Sequence, residues 1–206
     1  MPLQNRVTPY GEVVALQGRG LMMGNRGVLH DDDRHVVRSF QVKRWIACVL
    51  HFQGRVRQVM TPHRYTELFF LDEAAGFSAG HRPCAECRRD DYNRFRELWE
   101  KAVGGPSDAD SIDHRLHAER LDGEKKRTYC DELANLPDGT YVVLDGKVHL
   151  VWGTAIFEWS ASGYTRRRPR GRRPVEVLTP PSVVKVFKAG YHPWIHPSAV
   201  RSAAES

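Results

Sequence analysis

Two cysteines separated by two residues, Cys84 and Cys87, carry the clearest chemical signal in this sequence. They lie in the segment GHRPCAECRR, where a tight turn would direct both thiolates at one ion. The proline precedes the pair and does not lie between its members, and a glycine stands before the motif, so a thioredoxin-like redox pair is disfavoured. The spacing therefore predicts half of a zinc site, with redox thiols and inert thiols as the alternatives.

Three sets of residues compete to complete the coordination of this ion. The first is Cys48 with His51, but in a regular strand over residues 42–52 positions three apart would face opposite sides of the sheet. Cys48 is accordingly expected to be a buried core thiol. The second set uses His81. It stands so close to Cys84 in the sequence that holding one tetrahedral metal ion with both residues would strain the chain.

The third set comes from the segment DHRLHAER, in which His117 and Glu119 form the pattern HxE. Together with PCAEC it reproduces the parts of a zinc-deaminase site, where zinc is held by one histidine and two cysteines and a glutamate carries protons. The order is reversed here, because HxE precedes PCxxC in that family. Two arrangements stay open: a reactive zinc held by Cys84, Cys87 and His117, with Glu119 as acid and base, or a closed site with Cys130 as fourth ligand.

Glu67 is a second candidate catalytic acid. It stands in an otherwise apolar strand pattern, YTELFFL, shortly before the cysteine pair. A carboxylate among aromatic side chains near a metal could exchange protons with a substrate. The alternative is that Glu67 faces solvent or pairs with an arginine.

The segment from about Tyr65 to Asp90 resembles the second half of the Ada-type metal-binding domain. The residues that match its motif are Arg82, Pro83, Cys84, Cys87 and Arg88, preceded by Phe69-Phe70 in the strand and Glu73-Ala74 in the helix. The resemblance implies a zinc knuckle and an association with DNA, hence a role in DNA repair. The family's other cysteine pair would fall near residues 52–60, where this sequence has no cysteine, so the methyl-accepting reaction is not implied. The whole chain also looks similar to bacterial proteins that carry this knuckle.

Positive charge is concentrated in one short segment. The formal net charge is +6, and six arginines within residues 166–173 account for it. A local basic patch of this kind favours contact with a phosphate backbone, DNA more than RNA, while a solvated loop without a partner is the alternative. The candidate nucleic-acid contacts are Arg166, Arg167, Arg168, Arg170, Arg172 and Arg173, with Arg82 and Arg88 beside the cysteine pair.

Hydrophobic periodicity and turn residues predict the elements that would position these groups. Asp72 is expected to cap a short helix, and Tyr92, Phe95 and Trp99 recur at helical spacing as a core stripe. Turn dipeptides flank YVVL and precede VHLVW, which predicts a hairpin. The predicted strands cover 42–52, 55–60, 65–71, 155–160 and 174–178, and the predicted helices cover 73–79, 88–103, about 110–121 and 182–188.

These elements predict an α+β fold, with a zinc-knuckle-containing N-terminal half of mixed strands and helices and a small β-rich C-terminal half. The expected divisions are a metal-binding domain over 1–104, a helical connector over 105–135 and a β-rich domain with a basic loop over 136–206. The 41% hydrophobic content suffices for a core. The absence of a long apolar run excludes a membrane span.

The sequence thus predicts a zinc-containing nucleic-acid-binding protein of DNA processing or repair. The alternative is a zinc-dependent hydrolase with deaminase-like chemistry on a nucleobase or nucleic acid. Four cysteines in 206 residues do not form a disulfide scaffold, and the N-terminus lacks the apolar stretch of a secretory signal, which favours a reduced, cytoplasmic setting. Oligomeric state and enzymatic activity stay open at this level.

Overall fold

The structure, a computed structural model, describes residues 1–55 and 58–199. Helices make up 23% and strands 27%, which confirms the α+β class. Within these residues, no helix combines the length and the apolarity that a bilayer crossing requires.

A mixed six-stranded sheet forms the first half of the molecule. Its strand order is β2-β1-β5-β3-β4-β6, in which β1 pairs parallel with β5, β4 pairs parallel with β6, and the other pairs are antiparallel. The strands are β1 (Arg6–Val7), β2 (Val13–Val14), β3 (Met22–Asn25), β4 (Ile46–Cys48), β5 (Leu68–Phe70) and β6 (Arg82–Pro83).

Three helices lie between residues 73 and 120, close to where the sequence predicts them. They are α1 (Glu73–Ser78), α2 (Arg89–Ala102) and α3 (Ala109–Arg120). Asp72 caps α1 as predicted, because its side chain accepts a hydrogen bond from the Ala75 amide at 2.9 Å. The aromatic stripe of α2 is buried, which confirms that its rings are core and not a stacking surface.

An antiparallel sheet of six strands forms the second half, in the order β13-β12-β11-β10-β14-β9. A two-stranded hairpin, β7 (Leu121–Asp122) with β8 (Lys125–Lys126), connects α3 to this sheet, and α4 (Pro181–Lys188) follows it. The six strands are β9 (Tyr129–Glu132), β10 (Tyr141–Leu144), β11 (Lys147–Trp152), β12 (Ala155–Ser160), β13 (Gly163–Pro169) and β14 (Pro174–Val177).

The two sheets share one hydrophobic core. Leu68 and Phe70 of the first sheet belong to the same buried cluster as Tyr141 and Phe157 of the second, and Ile195 of the C-terminal segment joins them. The halves are therefore in direct contact, and the predicted division into domains at residues 104 and 135 stays a prediction.

Two predicted elements differ from the structure. The strand expected over 42–52 is only three residues long, because its neighbour β6 offers two residues for pairing and the chain leaves the sheet after Cys48. The strand expected over 55–60 includes residues 56 and 57, which lie outside the described part, and residues 59 and 60 lie in a turn.

Candidate metal centre

Three cysteines meet at the end of the first sheet. The sulfur atoms of Cys48, Cys84 and Cys87 all lie within 4.8 Å of one another. Sulfur ligands of a tetrahedral zinc ion, bound at about 2.3 Å, stand about 3.8 Å apart. The three cysteines are thus close enough to hold one metal ion.

Parallel pairing of β4 and β6 creates this meeting point. Cys48 is the last residue of β4, and Cys84 directly follows β6, where its amide donates to the Ala47 carbonyl at 3.0 Å. The turn after Cys84 then brings Cys87 back toward the same point before α2 begins. Within that turn the Glu86 amide donates to Cys84 Sγ at 3.4 Å, so a backbone N–H already supports a thiolate there.

The three thiols strongly influence each other's ionisation. Hydrogen bonds from Cys48 and from Cys87 lower the pKa of the Cys84 thiol far below its ordinary value. The same interaction with Cys84 raises the pKa of the Cys48 thiol, and burial adds to that increase. A bound metal ion would supply the positive charge needed to deprotonate all three.

A cavity of about 510 Å³ opens beside the three cysteines, which form part of its wall. Residues of β3, β4 and β5, of the segment after Cys48 and of the segment before β5 also line it. Its apolar surface includes Ile46, Phe52 and Phe69, and its polar groups include Asn25, His51, Tyr65 and Glu67. An ion held by the cysteines would consequently lie next to a space large enough for a small ligand.

Glu67 lies in the wall of this cavity, next to the predicted knuckle as the sequence suggested. Its side chain is 4% exposed, and one carboxylate oxygen, Oε2, accepts a hydrogen bond from the Met60 amide at 2.8 Å. The backbone therefore holds this carboxylate in place, and no arginine within residues 1–55 and 58–199 pairs with it. Its second oxygen leaves acceptor capacity for a ligand.

Cys48 is a candidate ligand, contrary to the prediction that it is only a core thiol. That prediction assumed a regular strand through His51, but β4 ends at Cys48 and the alternation rule no longer applies beyond it. His51 is exposed and lines the cavity, although it is not among the three closely spaced ligand groups. The signal that could have identified Cys48 is the parallel pairing of β4, which ends in a cysteine, with β6, which a cysteine directly follows.

The structure does not bring His117 or Cys130 to the cysteine cluster, which corrects both predictions. The His117 ring packs edge-on against Phe40 with ring centres 5.1 Å apart, and its Nδ1 lies 3.0 Å from Nη2 of Arg120. Cys130 is exposed on β9, opposite Glu176 of β14. Neither side chain belongs to the group of closely spaced ligand atoms, so HxE and PCxxC do not form a common site among the described residues.

Glu119 has a structural position at the start of α4. Its Oε2 accepts a hydrogen bond from the Ser182 amide at 2.9 Å, and its Oε1 accepts one from the Ser182 hydroxyl at 2.6 Å. A carboxylate at a helix N-terminus satisfies free backbone N–H groups and interacts favourably with the helix dipole. The predicted catalytic role of Glu119 is therefore not supported by its location.

Arg82 and Arg88 are buried ion-pair partners, and they do not reach a surface where nucleic acid could bind. Arg82 is 2% exposed and forms two hydrogen bonds with Asp113, at 2.9 and 2.8 Å. Arg88 is 8% exposed and donates to Glu73 at 2.5 Å and to Asp91 at 2.8 Å. These arginines fix the segment around the cysteines against α1, α2 and α3.

The arginine-rich segment is an edge strand and a turn, and not the single loop that was expected. Arg166, Arg167 and Arg168 lie on β13, so their side chains alternate between the two faces of the sheet. Arg168 pairs with Asp145 at 2.7 Å, and Arg170 donates to the carbonyls of Leu133, Ala134 and Leu136. The four exposed members of the segment are Arg166, Arg167, Arg172 and Arg173.

No protein family, no curated protein and no solved structure matches this chain in the comparisons with known proteins.

Proposed function

We propose that this protein is a zinc-dependent hydrolase, with the metal held by Cys48, Cys84 and Cys87 and a substrate the size of a nucleobase in the adjoining cavity. The observation that carries the proposal is that the three-cysteine cluster forms part of the wall of a cavity of about 510 Å³. Structural zinc sites are usually closed by four protein ligands, whereas catalytic sites use three and keep one position open.

Zinc in such a site lowers the pKa of a water molecule that it binds and polarises a substrate oxygen or nitrogen. Glu67 is the group of this chain best placed to move the proton, because it is buried in the same cavity and held at one oxygen by the Met60 amide. A three-thiolate zinc with a nearby glutamate is also a combination used by nucleobase deaminases.

The cavity wall suits a flat, partly polar substrate. Phe52, Tyr65 and Phe69 offer aromatic faces, and Asn25 offers both a hydrogen-bond donor and an acceptor. Aromatic side chains stack on nucleobases, and amide groups read their polar edges. These groups support a free nucleobase, a nucleoside or an extruded base as substrate class, with hydrolytic release of an amino group as the reaction.

Metal analysis of purified protein tests the first half of the proposal. We expect about one zinc ion per chain, retained in Cys130→Ser and His117→Ala and lost or much weakened in Cys48→Ser, Cys84→Ser and Cys87→Ser. The Cys130 variant is the matched control, since it removes a thiol that lies outside the cluster. Zinc loss on Cys130→Ser, with retention on Cys48→Ser, would disprove this ligand set.

Ammonia release from a panel of nucleobases and nucleosides tests the second half. Glu67→Gln is expected to reduce turnover by at least about 100-fold while zinc stays bound, as expected for loss of a general acid–base. Glu119→Gln, which alters a carboxylate outside the cavity, should retain turnover. Equal loss in both variants would show that Glu67 has no specific role.

A second candidate function is nucleic-acid binding by a protein whose zinc is purely structural. The exposed arginines of residues 166–173 favour it, and so does His51, which lines the cavity and could complete a closed site. The resemblance to the Ada-type domain supports the same candidate and a role in DNA repair. Here His51→Ala should release zinc, and replacing the four exposed arginines by serine should weaken DNA binding and flatten its salt dependence.

A further inference from the structure

A second cavity, of about 600 Å³, lies away from the cysteine cluster and shares no lining residue with the first. Its wall contains five basic side chains and two acidic ones. The basic residues are Arg26, Arg38, Arg120, Lys125 and Lys126, and the acidic residues are Glu12 and Glu124. The lining therefore carries a surplus of positive charge.

Two of these basic groups are fully buried on opposite faces of one indole ring. The guanidinium carbons of Arg26 and Arg120 lie 3.8 and 3.7 Å from the ring centre of Trp45. Both arginines are 1% exposed, and Trp45 is 2% exposed. The indole separates two like charges and provides each with a cation–π contact.

Neither buried guanidinium has a carboxylate partner among the described residues. Arg26 donates from Nη1 to the Gly11 carbonyl at 2.8 Å, and Arg120 donates from Nη1 to the Gly80 carbonyl at 2.9 Å. Nη2 of Arg26 and Nε of Arg120 are buried without any hydrogen-bond partner. Buried arginines normally pair with anions, as Arg82 pairs with Asp113 in this same molecule.

Two further groups add hydrogen-bond donors that have no acidic partner among the described residues. Lys126 lines the same cavity, and its ammonium donates to the Ser78 carbonyl. Burial, and then the charges of Arg26 and Arg120, lower the pKa of Lys126 to about 7. The His81 ring accepts a hydrogen bond from Nε of Arg26 at 3.2 Å, which places its proton on Nδ1, and that atom is buried without a partner. In the part of the chain that the structure describes, this cluster of three basic groups and a donor histidine thus has no carboxylate in contact.

We infer that this cavity is a binding site for a small molecule that carries a phosphate group, with Arg26, Arg120 and Lys126 as the groups that recognise the phosphate. A phosphate supplies the missing negative charge and several acceptor oxygens for arginine and lysine donors. The volume of about 600 Å³ leaves room for a sugar or nucleoside beside the phosphate, against Tyr10, Val13 and Leu121. This inference is independent of the proposed hydrolase activity.

Phosphate binding by the zinc-loaded protein tests the inference. Isothermal titration with inorganic phosphate, ribose 5-phosphate and a nucleoside 5′-monophosphate is compared with sodium chloride at equal ionic strength. We expect saturable binding of at least one phosphate compound and none of free ribose. The ranking of the three compounds shows whether the site takes the ion alone or a larger ester. Absence of saturable binding by all three would overturn the inference.

Lys126→Met is the principal variant, because Lys126 is only partly buried and its removal deletes one hydrogen-bond donor of the cavity. It should weaken phosphate binding roughly tenfold, which corresponds to about 1.4 kcal/mol of binding free energy. The matched control is Arg166→Ser on β13, which removes a positive charge outside the cavity. Equal weakening in both variants would indicate only a general charge effect and would overturn the assignment.

Arg120→Met provides a second readout that remains informative even when folding is affected. Thermal unfolding is measured for this variant and the wild type, with and without phosphate. We expect phosphate to raise the midpoint of the wild type and to leave that of Arg120→Met unchanged. A midpoint increase of the same size in both proteins would place the phosphate elsewhere on the molecule.

Discussion

The hydroxyl group of Tyr164 donates a hydrogen bond to Oδ2 of Asp72 across 2.6 Å, and this contact joins two residues 92 positions apart. Asp72 caps α1 beside the first sheet, and Tyr164 lies on β13 of the second. The same carboxylate oxygen accepts from the His196 amide at 2.9 Å. One fully buried carboxylate therefore connects a helix cap, the second sheet and the C-terminal segment.

The raised pKa of Asp72 makes the stability of the folded protein depend on pH. Burial raises its pKa to about 6, against the opposing effect of three hydrogen bonds. The folded state then binds more protons than the unfolded state between about pH 4 and pH 6. The stability that this group contributes is present below its unfolded pKa and is lost as the pH rises through about 6, a change of about 3 kcal/mol.

Urea unfolding of wild type and Asp72→Asn between pH 4 and pH 7 measures this effect. The difference in unfolding free energy between the two proteins should change across the pH window, because only the wild type titrates at this site. Asp110→Asn, at an exposed position of α3, is the control for replacing a carboxylate outside the core. A difference for Asp72→Asn that stays constant over this pH range would contradict the raised pKa.

Removing the hydroxyl group of Tyr164 tests the connection itself. Tyr164→Phe deletes the hydrogen bond to Asp72 and also a 2.6 Å hydrogen bond with the Tyr141 hydroxyl, and both groups are buried. We expect a loss of about 2–3 kcal/mol in unfolding free energy at neutral pH, because a buried charged acceptor loses a donor. Chemical unfolding measures it, and a change below about 0.5 kcal/mol would show that water replaces the hydroxyl.

Local patterns account for the elements that the sequence predicted well. The Asp72 cap, the aromatic stripe of α2 and the Asp145-Gly146 turn depend on residues within one or two turns of each other. Each of these features has a local physical cause that the sequence displays directly.

Features that depend on distant pairing were not visible in the same way. Cys48 joins the cysteine cluster because β4 and β6 lie parallel, and no local pattern specifies that pairing. The arginines of β13 suggested a loop, whereas their strand is defined by antiparallel pairing with β12. The buried cluster around Trp45 combines Arg26 and Arg120, which lie far apart in the sequence.

The ion pair between Arg82 and Asp113 predicts a large effect from a single substitution. Asp113→Ala leaves the Arg82 guanidinium buried without its partner, because both side chains are almost inaccessible to solvent. Breaking a buried pair in this way costs about 3–5 kcal/mol. Thermal and urea unfolding measure the loss, and Asp110→Ala on the same helix is the control. Similar small effects in both variants would mean that Arg82 finds another partner.

Gly24 predicts that the metal centre depends on the close approach of β3 to β4. A Cβ atom at this position would lie 2.3 Å from the Ile46 carbonyl oxygen and 2.8 Å from the Phe70 ring, so Gly24→Ala must push strands apart. The neighbouring residue Met23 pairs with Cys48, and displacement of β4 would move Cys48 away from Cys84 and Cys87. We expect a loss of about 1–3 kcal/mol in stability together with weaker zinc retention in a chelator competition assay.

Gly171→Ala is the control, since the nearest neighbour of a Cβ atom at that position would be the side chain of Arg173 at 3.8 Å. Unchanged zinc retention in Gly24→Ala, despite reduced stability, would show that the cysteine cluster adjusts independently of β3.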